Sequence, residues 1–431
     1  MFEVKKFLKK IIPARLWDAG HLILALTGAL RYWFPSRGII VIGVTGTNGK
    51  STVVEIIHQI FSDFGFRVGS LSSLREKIRD EISPAKPKTT MPGRWALQRF
   101  LSEARRVGSQ IAVVEVTSEG IKQYRHTGIS FDSAVITNLR PEHIEAHGSF
   151  EAYRSAKGRL FAKVRRSVVN LDDPSAFYFA HFEADEKVGY GLAKENNRDG
   201  LKAVLPEDVR FSADEIAFSY GGLKFSSSLV GDFNLYNILA ALAVAVGFKL
   251  PLEGVRDSIK KIKGIPGRME LVQKEPFRVV VDYAHTPDAL EAVFRMVRSF
   301  WAPPEKKIIA VFGSAGGGRD KWKRPELGRI ADKFASHIIL TSEDPYSEDP
   351  ETILREIEDG IQNIEHETIP DRRKAIGRAL EIAEEGDVVV ITGKGAERVM
   401  AVAEGHIPWD DRKTVKEELK KLRNNAEQNK E

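Results

Sequence analysis

Apolar and polar positions follow two patterns that alternate along most of the chain. From residue 38 onward, short apolar runs rich in β-branched residues are separated by stretches of helical periodicity. This alternation is typical of a parallel α/β sheet covered by helices. In the first half it predicts strands over residues 39–44, 111–116, 133–137 and 167–170. In the second half it predicts strands over residues 278–282, 307–312, 337–341 and 387–392.

The two sets of predicted strands are separated by segments of a different character. Residues 221–230 alternate beside the turn-like Tyr220-Gly221-Gly222, which predicts an antiparallel strand, and an alanine-rich helix is predicted over 237–248, after a turn at 231–234. The stretch at 263–267 contains two glycines and a proline, which interrupt regular structure. We therefore expect a leader over residues 1–37, a central domain over 38–263 and a C-terminal domain over 264–431, with Gly264 and Gly267 allowing domain closure.

The leader combines a basic head with an apolar body. The head contains Lys5, Lys6, Lys9 and Lys10. The apolar run at residues 22–30 is shorter than the roughly 20 residues that span a bilayer, and no small-residue cleavage site follows it. We expect an amphipathic helix that docks either on a membrane surface or on the protein's own central domain. Its apolar residues are Trp17, Leu22, Ile23, Leu26, Leu30, Trp33 and Phe34.

Composition excludes several classes of function. The chain has 431 residues and no cysteine, so disulfides, thiolate nucleophiles and cysteine-ligated zinc are excluded. The net charge of +5 is small and spread out, and no basic stripe is interleaved with aromatic residues. We therefore expect no nucleic-acid partner.

The strongest local signal is a glycine-rich loop directly after the first predicted strand. Its backbone N–H groups can enclose phosphate oxygens, the lysine can reach the β- and γ-phosphates, and the serine hydroxyl suits Mg²⁺. The spacing from Gly43 to Gly49 is one residue longer than in the usual P-loop pattern. Because ATP is a cytosolic substrate, we expect a cytoplasmic protein. The predicted nucleotide-binding residues are Gly46, Thr47, Asn48, Gly49, Lys50, Ser51 and Thr52.

Further segments, taken together with this loop, resemble the Mur ligase family. In chain order they are EVTS at 115–118, TNLRPEH at 137–143, YRSAK at 153–157, NLDD at 170–173, GDFNLYN at 231–237, PGRME at 266–270 and DYAHTPDAL at 282–290. The last two are most similar to the MurE type within the family, the UDP-N-acetylmuramyl-tripeptide synthetases. The resemblance extends from residue 43 to about residue 397 and implies a P-loop central ATPase domain followed by a Rossmann-like C-terminal α/β domain.

The resemblance implies an ATP-dependent amide ligase, in which ATP phosphorylates a carboxylate and an amino acid then displaces the phosphate. One Mg²⁺ would lie at Ser51 and the β- and γ-phosphates, and a second would bridge the γ-phosphate and the carboxylate. Lys157 matches a lysine that is carbamylated in the family, and it follows His143 at the spacing of the MurE type. The catalytic residues implied are Lys50, Glu115, His143 and Lys157, and the metal ligands are Ser51, Glu115, His143 and Lys157.

The resemblance also assigns binding residues. Asn237 and Arg268 are implied to contact ATP, Asp282 its ribose, and His285 the region of the base; otherwise Asp282 would be only a helix cap before Pro287. The implied substrate-binding residues are Thr117, Ser118, Arg319, Glu343, Asp344, Tyr346 and Glu397. We expect a monomer whose partners are an acidic peptide or muramyl peptide and an amino acid.

The chain departs from the family pattern at three places. Fewer than forty residues precede the phosphate loop, so we expect the N-terminal domain that holds the UDP end of the substrate to be missing. The motif D-N-P-R, which selects diaminopimelate in the family, is here Glu343-Asp344-Pro345-Tyr346, and G-K-G-H-E has Ala396 in place of histidine. We therefore expect an amine other than meso-diaminopimelate, with L-lysine or another diamine first, because Tyr346 provides no cation for a distal carboxylate.

Three interpretations follow from the residues. The first is a MurE-like ligase in peptidoglycan peptide synthesis, and the second is a Mur-type ligase on a lipid-linked or unlinked acid. The third is a catalytically silent nucleotide-binding subunit of a membrane-bound complex, which the retention of the predicted catalytic residues disfavours. The absence of cysteine disfavours a zinc-ribbon amidotransferase relative, and the segment at 282–290 disfavours a folylpolyglutamate synthase.

Overall fold

The computed structural model describes residues 14–79, 81–84, 91–194 and 201–428. The lysines of the predicted basic head, Lys5, Lys6, Lys9 and Lys10, lie outside these residues, as does the side chain of Trp17.

The described strands are numbered in chain order. They are β1 (Ile40–Thr45), β2 (Val68–Leu71), β3 (Arg75–Ile78), β4 (Glu81–Pro84), β5 (Ile111–Glu115), β6 (Ser133–Ile136), β7 (Arg166–Asn170), β8 (Glu186–Tyr190), β9 (Lys202–Val204), β10 (Glu207–Phe211), β11 (Ile216–Tyr220), β12 (Leu223–Ser227), β13 (Glu270–Gln273), β14 (Arg278–Val281), β15 (Ile308–Phe312), β16 (His337–Leu340), β17 (His366–Thr368), β18 (Val388–Ile391), β19 (Val399–Val402) and β20 (Gly405–Pro408).

The described α-helices are numbered in the same way. They are α1 (Ala14–Arg31), α2 (Lys50–Asp63), α3 (Arg94–Arg106), α4 (Ser118–Lys122), α5 (Ile144–His147), α6 (Phe150–Gly158), α7 (Ala176–Ala180), α8 (Asp232–Gly247), α9 (Leu252–Lys261), α10 (Pro287–Phe300), α11 (Lys323–Phe334), α12 (Pro350–Glu358), α13 (Arg372–Glu381) and α14 (Asp411–Gln428). A short 3₁₀ helix at Pro35–Gly38 joins α1 to β1.

The central domain is built on a nine-stranded sheet of order β4-β3-β2-β5-β1-β6-β7-β8-β9. The seven strands β2, β5, β1, β6, β7, β8 and β9 pair in parallel. Strands β3 and β4 extend the sheet beyond β2 as an antiparallel edge. The four strands predicted in the first half of the sequence are confirmed as β1, β5, β6 and β7. Strand β1 lies between β5 and β6 in the sheet. Both of these strands come later in the sequence, so the strand order reverses direction at β1. Ligands of open α/β sheets bind at such a switch point, beyond the carboxyl ends of the strands.

The region between the two large sheets differs partly from the sequence prediction. The antiparallel strand predicted over 221–230 is confirmed as β12, which pairs with β11 in a three-stranded sheet. The helix predicted over 237–248 begins earlier, at Asp232, because the expected turn residues form its first turn. This helix, α8, is buried on nearly all sides against the central sheet and α2, so its alanines allow close packing.

The C-terminal domain contains a six-stranded sheet of order β13-β14-β18-β15-β16-β17. The four strands predicted in the second half of the sequence are confirmed as β14, β15, β16 and β18, and these pair in parallel. The antiparallel edge strand β13 was not predicted, because only its pairing with β14 distinguishes it from a loop. Apolar side chains on both faces of the sheet make two separate core clusters against the flanking helices.

Helix α1 packs on the central domain through its small residues. Ala25 and Ala29 are buried, and the indole nitrogen of Trp95 on α3 donates to the carbonyl of Leu24 at 3.1 Å. The large apolar side chains of α1 face outward instead, with Ile23 59% and Leu30 60% exposed, and Trp33, just after the helix, is 81% exposed. Within the residues that the structure describes, no helix is long and apolar enough to cross a membrane.

Candidate active site

The phosphate loop joins β1 to α2 at the switch point of the central sheet. Gly46 and Gly49 have φ angles of 147° and 82°, which side-chain-bearing residues rarely adopt, so the loop can turn tightly only with glycine there. The Lys50 ammonium donates to the carbonyl of Thr47 at 2.8 Å and lies 3.8 Å from a Glu115 carboxylate oxygen. Burial lowers the pKa of Lys50, and Glu115 acts in the opposite direction. The lysine is thus folded back over the loop, where phosphate oxygens would be enclosed.

Three oxygen-bearing side chains meet beside this lysine. The Ser51 hydroxyl donates to Glu115 Oε2 at 2.8 Å, and the same oxygen accepts the Ser73 backbone N–H at 2.9 Å. The hydroxyls of Ser51 and Ser73 are also 2.8 Å apart. Ser73 was missed by sequence reasoning, because it lies in the loop after an unpredicted strand, β2.

The donor set fits Mg²⁺ rather than a transition metal. Among the described residues, no group of three or more His, Asp or Glu side chains forms a preformed metal cage. Mg²⁺ rarely uses such a cage, because it keeps water and is held by one or two carboxylates plus substrate phosphates. Ser51 and Glu115 beside a phosphate loop provide that kind of partial ligand set.

Lys157 lies beneath the phosphate loop and is only 2% exposed. Its ammonium donates to the carbonyl of Gly46 at 2.7 Å and lies 4.7 Å from the centre of the Tyr153 ring. Burial, reinforced by Lys50, moves its pKa well below the ordinary value. Lys157 is therefore a buried lysine of the site and not a solvated lysine on the surface of an amphipathic helix.

His143 follows β6 and precedes the short helix α5. Its Nδ1 is 3.4 Å from a carboxylate oxygen of Glu119, which is also 3.4 Å from the guanidinium of Arg319. Burial, with Arg319 as the next cause, lowers the pKa of His143 to about 2. The imidazole is therefore neutral, which is the form that binds metals.

The C-terminal domain supplies the opposite wall of the site. The Arg268 guanidinium stacks on the Tyr283 ring at 4.2 Å and reaches the Ser51 hydroxyl at 3.4 Å. The Asn48 side-chain amide donates to the Thr286 hydroxyl at 3.1 Å. The phosphate loop and the second domain are therefore in direct contact.

Asp282 and His285 lie in the loop that follows β14. The Asp282 carboxylate accepts the backbone N–H groups of Met269 and Ala284, both at 2.7 Å, and burial raises its pKa. Thr286, not Asp282, caps α10, because its hydroxyl accepts the N–H of Ala289. The helix-cap alternative for Asp282 is thereby wrong. His285 is held by a contact of 2.9 Å between its Nδ1 and the carbonyl of Tyr283.

Acidic residues dominate the far end of the cleft. Lys394 bridges Asp344 at 2.7 Å and Glu397 at 2.5 Å. Glu343 is buried, and burial together with Asp344 raises its pKa to about 7. One of its carboxylate oxygens, Oε2, has no hydrogen-bond partner within the described residues. Tyr346 lies beside Arg319 and shares a hydrogen bond with it.

Most predicted site residues line a single cleft of about 650 Å³ between the domains. Gly46, Ser118 and Lys157 are not among its lining residues, and Ser118 and Lys157 are buried beside it. Other lining residues were missed by sequence reasoning, although two of them, Glu142 and Tyr283, lie within the motifs quoted above. They include Ser73, Glu119, Arg125, Glu142, Tyr283 and Lys323.

A phosphate loop with an adjacent Mg²⁺-type ligand set, closed by a second α/β domain with a charged pocket, defines a two-domain nucleotide-dependent enzyme. Comparison with known proteins specifies the class further. Residues 44–245 match the Mur ligase middle domain, and residues 267–395 match the Mur ligase glutamate ligase domain.

Curated relatives cover most of the chain. The chain is 38% identical over 400 residues to the UDP-N-acetylmuramoyl-L-alanyl-D-glutamate–2,6-diaminopimelate ligase of Halalkalibacterium halodurans, covering 90% of this chain and 80% of the relative. It is 36% identical over 389 residues to the ligase of the same name from Aquifex aeolicus, covering 89% and 78%.

A solved structure of a ligase of that name aligns with a TM-score of 0.59 at 32% identity, covering 89% of this chain and 79% of that one. The Escherichia coli FolC structure, at 19% identity and a TM-score of 0.67, covers 86% of this chain and 89% of its own, and shows a shared fold alone.

The chain belongs to the Mur ligase family. It is an ATP-dependent, ADP-forming acid–amino-acid ligase of the MurE type, in peptidoglycan peptide synthesis.

Proposed function

We propose that the cleft joins the carboxylate of a muramyl peptide, or of a closely related acid, to an amino acid by way of an acyl phosphate. The observation that supports this best is the arrangement of Lys50, Ser51 and Glu115 on one domain, with Arg268 of the other 3.4 Å from Ser51. Such an array neutralises charge on a transferring phosphoryl group and holds it in line with its acceptor. The two domains meet closely enough in this structure for Arg268 to reach the phosphate loop.

Metal and lysine chemistry complete this proposal. Mg²⁺ held by Ser51 and Glu115 would neutralise phosphate charge, and His143 would help to hold a second ion near the carboxylate. Lys157 would carry a carbamate, formed when its neutral amine attacks CO₂ and releases a proton. Its low pKa favours the neutral amine, and the resulting anion would lie near the ammonium of Lys50. In this proposal Asn237, Arg268, Asp282 and His285 hold the nucleotide.

The acidic far end of the cleft, with Arg319, Glu343, Asp344, Tyr346 and Glu397, is here called the amine pocket. It favours an amino acid that has one carboxylate and, besides its α-amino group, a second ammonium group. Arg319 can pair with one carboxylate, and the neighbouring Tyr346 is not cationic. A second carboxylate would face Glu343 and Asp344. We therefore propose L-lysine or another diamine as the amine, although the curated relatives named above are diaminopimelate ligases.

A screen of amine-dependent phosphate release tests both parts of this proposal. UDP-muramyl peptides, lipid-linked acids and free peptides are each offered with ATP and a panel of amino acids. We expect phosphate release only when acid and amine are both present, with L-lysine or another diamine preferred to meso-diaminopimelate. Efficient use of diaminopimelate with lysine inert would contradict the amine proposal, and release with no acid–amine pair would contradict ligation itself.

Tyr346→Arg provides the matched test of the pocket. Tyr346 has a positive φ of 55°, a backbone conformation that arginine tolerates no worse than tyrosine, so the variant should fold. We expect the ratio of kcat/KM for diaminopimelate to that for lysine to rise by on the order of tenfold or more, since an added cation pairs with the distal carboxylate. An unchanged ratio would show that residue 346 does not select the amine.

The acid is either a UDP-linked muramyl peptide or a lipid-linked acid, and one observation favours a location at the membrane. Because α1 packs through Ala25 and Ala29, its large apolar side chains are exposed on the surface. With the lysines that precede it in the sequence, this face has the composition of an interfacial helix. We propose that α1 docks the ligase on an anionic bilayer from the cytoplasmic side, which would suit a lipid-linked acid.

Liposome co-sedimentation tests the docking. The double variant Ile23→Glu/Leu30→Glu places charges on exposed positions, so it should keep its fold and lose binding to anionic vesicles. Phe177→Glu is the matched control, because Phe177 is also 60% exposed but lies on α7. If the wild-type chain ignores the vesicles, or if the double variant instead abolishes a dimer, the docking proposal fails.

We further propose a monomer, with the leader, central and C-terminal parts meeting near residues 37 and 263. A silent nucleotide-binding subunit is disfavoured, because Lys50, Ser51 and Glu115 retain mutual contacts that a site without turnover would not require.

A further inference from the structure

The loop that carries His143 is held from the other domain. Segment 319–323, which follows β15, lies against segment 142–145, which follows β6; we call this pair of segments the domain clasp. The Asp320 carboxylate accepts the backbone N–H of Ile144 at 3.2 Å and that of Glu145 at 3.0 Å. The contact is reciprocal, because the Glu145 carboxylate accepts the N–H of Lys321 at 3.0 Å.

A buried ion pair closes the clasp on the side of the cleft. The Lys323 ammonium donates to Glu142 at 3.0 Å, with side-chain exposures of 3% and 5%. Asp320 is itself only 3% exposed. Charged groups buried this far rely on their partners, so the clasp forms only when the two domains meet in this register.

The clasp holds the backbone at His143, whose conformation is not stabilised by hydrogen bonds of its own side chain. His143 has φ 58° and ψ 26°, in the left-handed region that is unfavourable for a residue with a Cβ. It is also the N-cap of α5, and its side chain makes no capping hydrogen bond. The first N–H groups of a helix need an external acceptor, and Asp320 supplies it from the C-terminal domain.

We propose that Asp320 is a positioning residue that makes the placement of His143 depend on docking of the C-terminal domain. With the domains apart, the two N–H groups lose their carboxylate and the left-handed conformation loses its support. His143 then leaves its position beside the cleft. The C-terminal domain also carries the amine pocket. The clasp therefore links binding of the amine to the C-terminal domain with assembly of the metal site on the central domain. This inference rests on the proposed role of His143 as a metal ligand.

Hydrogen exchange of the full chain tests the conformational part. Asp320→Ala should speed exchange in the peptide that contains Ile144 and Glu145 by at least about tenfold relative to wild type, because both N–H groups lose their acceptor. Asp371→Ala is the matched control: Asp371 accepts the N–H groups of Arg373 and Lys374 at the start of α13, within one domain. It should leave exchange at 144–145 unchanged. Equal exchange at 144–145 in Asp320→Ala and wild type would overturn the proposal.

Binding of Mn²⁺ in the presence of a non-hydrolysable ATP analogue, followed by electron paramagnetic resonance, tests the functional part. We expect wild type to bind two ions, and Asp320→Ala to weaken the second by about tenfold or more while the ion at Ser51 and Glu115 is unaffected. Asp320→Asn, which keeps an acceptor oxygen, should be intermediate. Two ions bound equally tightly in wild type and Asp320→Ala would contradict the inference alone. A single ion in wild type would instead contradict the proposed role of His143, and the exchange experiment would still decide the clasp.

Discussion

Lys50→Ala and Ser51→Ala are expected to lower kcat by on the order of 10²-fold or more, while the melting temperature is kept. Lys50 bends over the phosphate loop, 2.8 Å from the carbonyl of Thr47, and Ser51 is bonded to Glu115. Both side chains face the cleft rather than an apolar core, so their loss removes contacts to the phosphates and Mg²⁺ without leaving a cavity in the packing.

The measurement is phosphate release with the substrate pair that the screen identifies, alongside thermal unfolding. Lys187→Ala is a suitable control, since Lys187 also donates to a backbone carbonyl, that of Ala180 at 3.0 Å, but lies away from the cleft. It should behave as wild type. Undiminished turnover in Lys50→Ala or Ser51→Ala would show that the loop does not hold the reacting phosphates.

Lys157→Ala is expected to be nearly inactive and to recover part of its activity with formate. Lys157 is buried below the phosphate loop with a strongly lowered pKa, a setting in which the neutral amine can take up CO₂. If a carbamate acts there, a small carboxylate placed in the vacated space can replace its oxygens. If the ammonium acts as a cation, formate has no reason to help.

Labelling distinguishes these cases directly. Wild-type protein in ¹³C-bicarbonate should show a carbamate resonance that Lys157→Ala lacks. Wild-type activity should fall in CO₂-depleted buffer and return with bicarbonate. The exposed Lys163 provides a control, and Lys163→Ala should change neither result. Full activity of Lys157→Ala in CO₂-free buffer would rule out a role for the carbamate.

Local sequence was sufficient for the eight parallel strands that it predicted and for the phosphate loop. The β-branched runs that became β1, β5, β6 and β7 have a pattern that is typical of strands buried on both faces. Gly46 and Gly49 could be assigned to a turn because their backbone angles are rarely open to other residues. These features depend on neighbours within a few positions, so sequence periodicity and residue type predict them.

The edge strands and the start of α8 were harder to predict from the sequence. The strands β13 and β17 are short edge strands bordered by polar residues; β13 pairs with the adjacent β14, and β17 pairs with β16 across the intervening helix α12. At α8, turn-forming residues become helical because the helix is packed almost completely inside the central domain. Tertiary packing there outweighs local preference.

By itself, the sequence determined the fold class, the nucleotide loop and the set of charged residues from which the site is built. Only the tertiary structure decided that Ser73 contacts Glu115, that Lys157 lies under Gly46, and that Asp320 reaches the N–H groups after His143 across 176 and 175 residues of chain. It also decided that α1 turns its large apolar side chains outward. Such contacts depend on strand order and on how two domains meet, and these follow from the burial of apolar surface by the whole chain rather than from any local pattern.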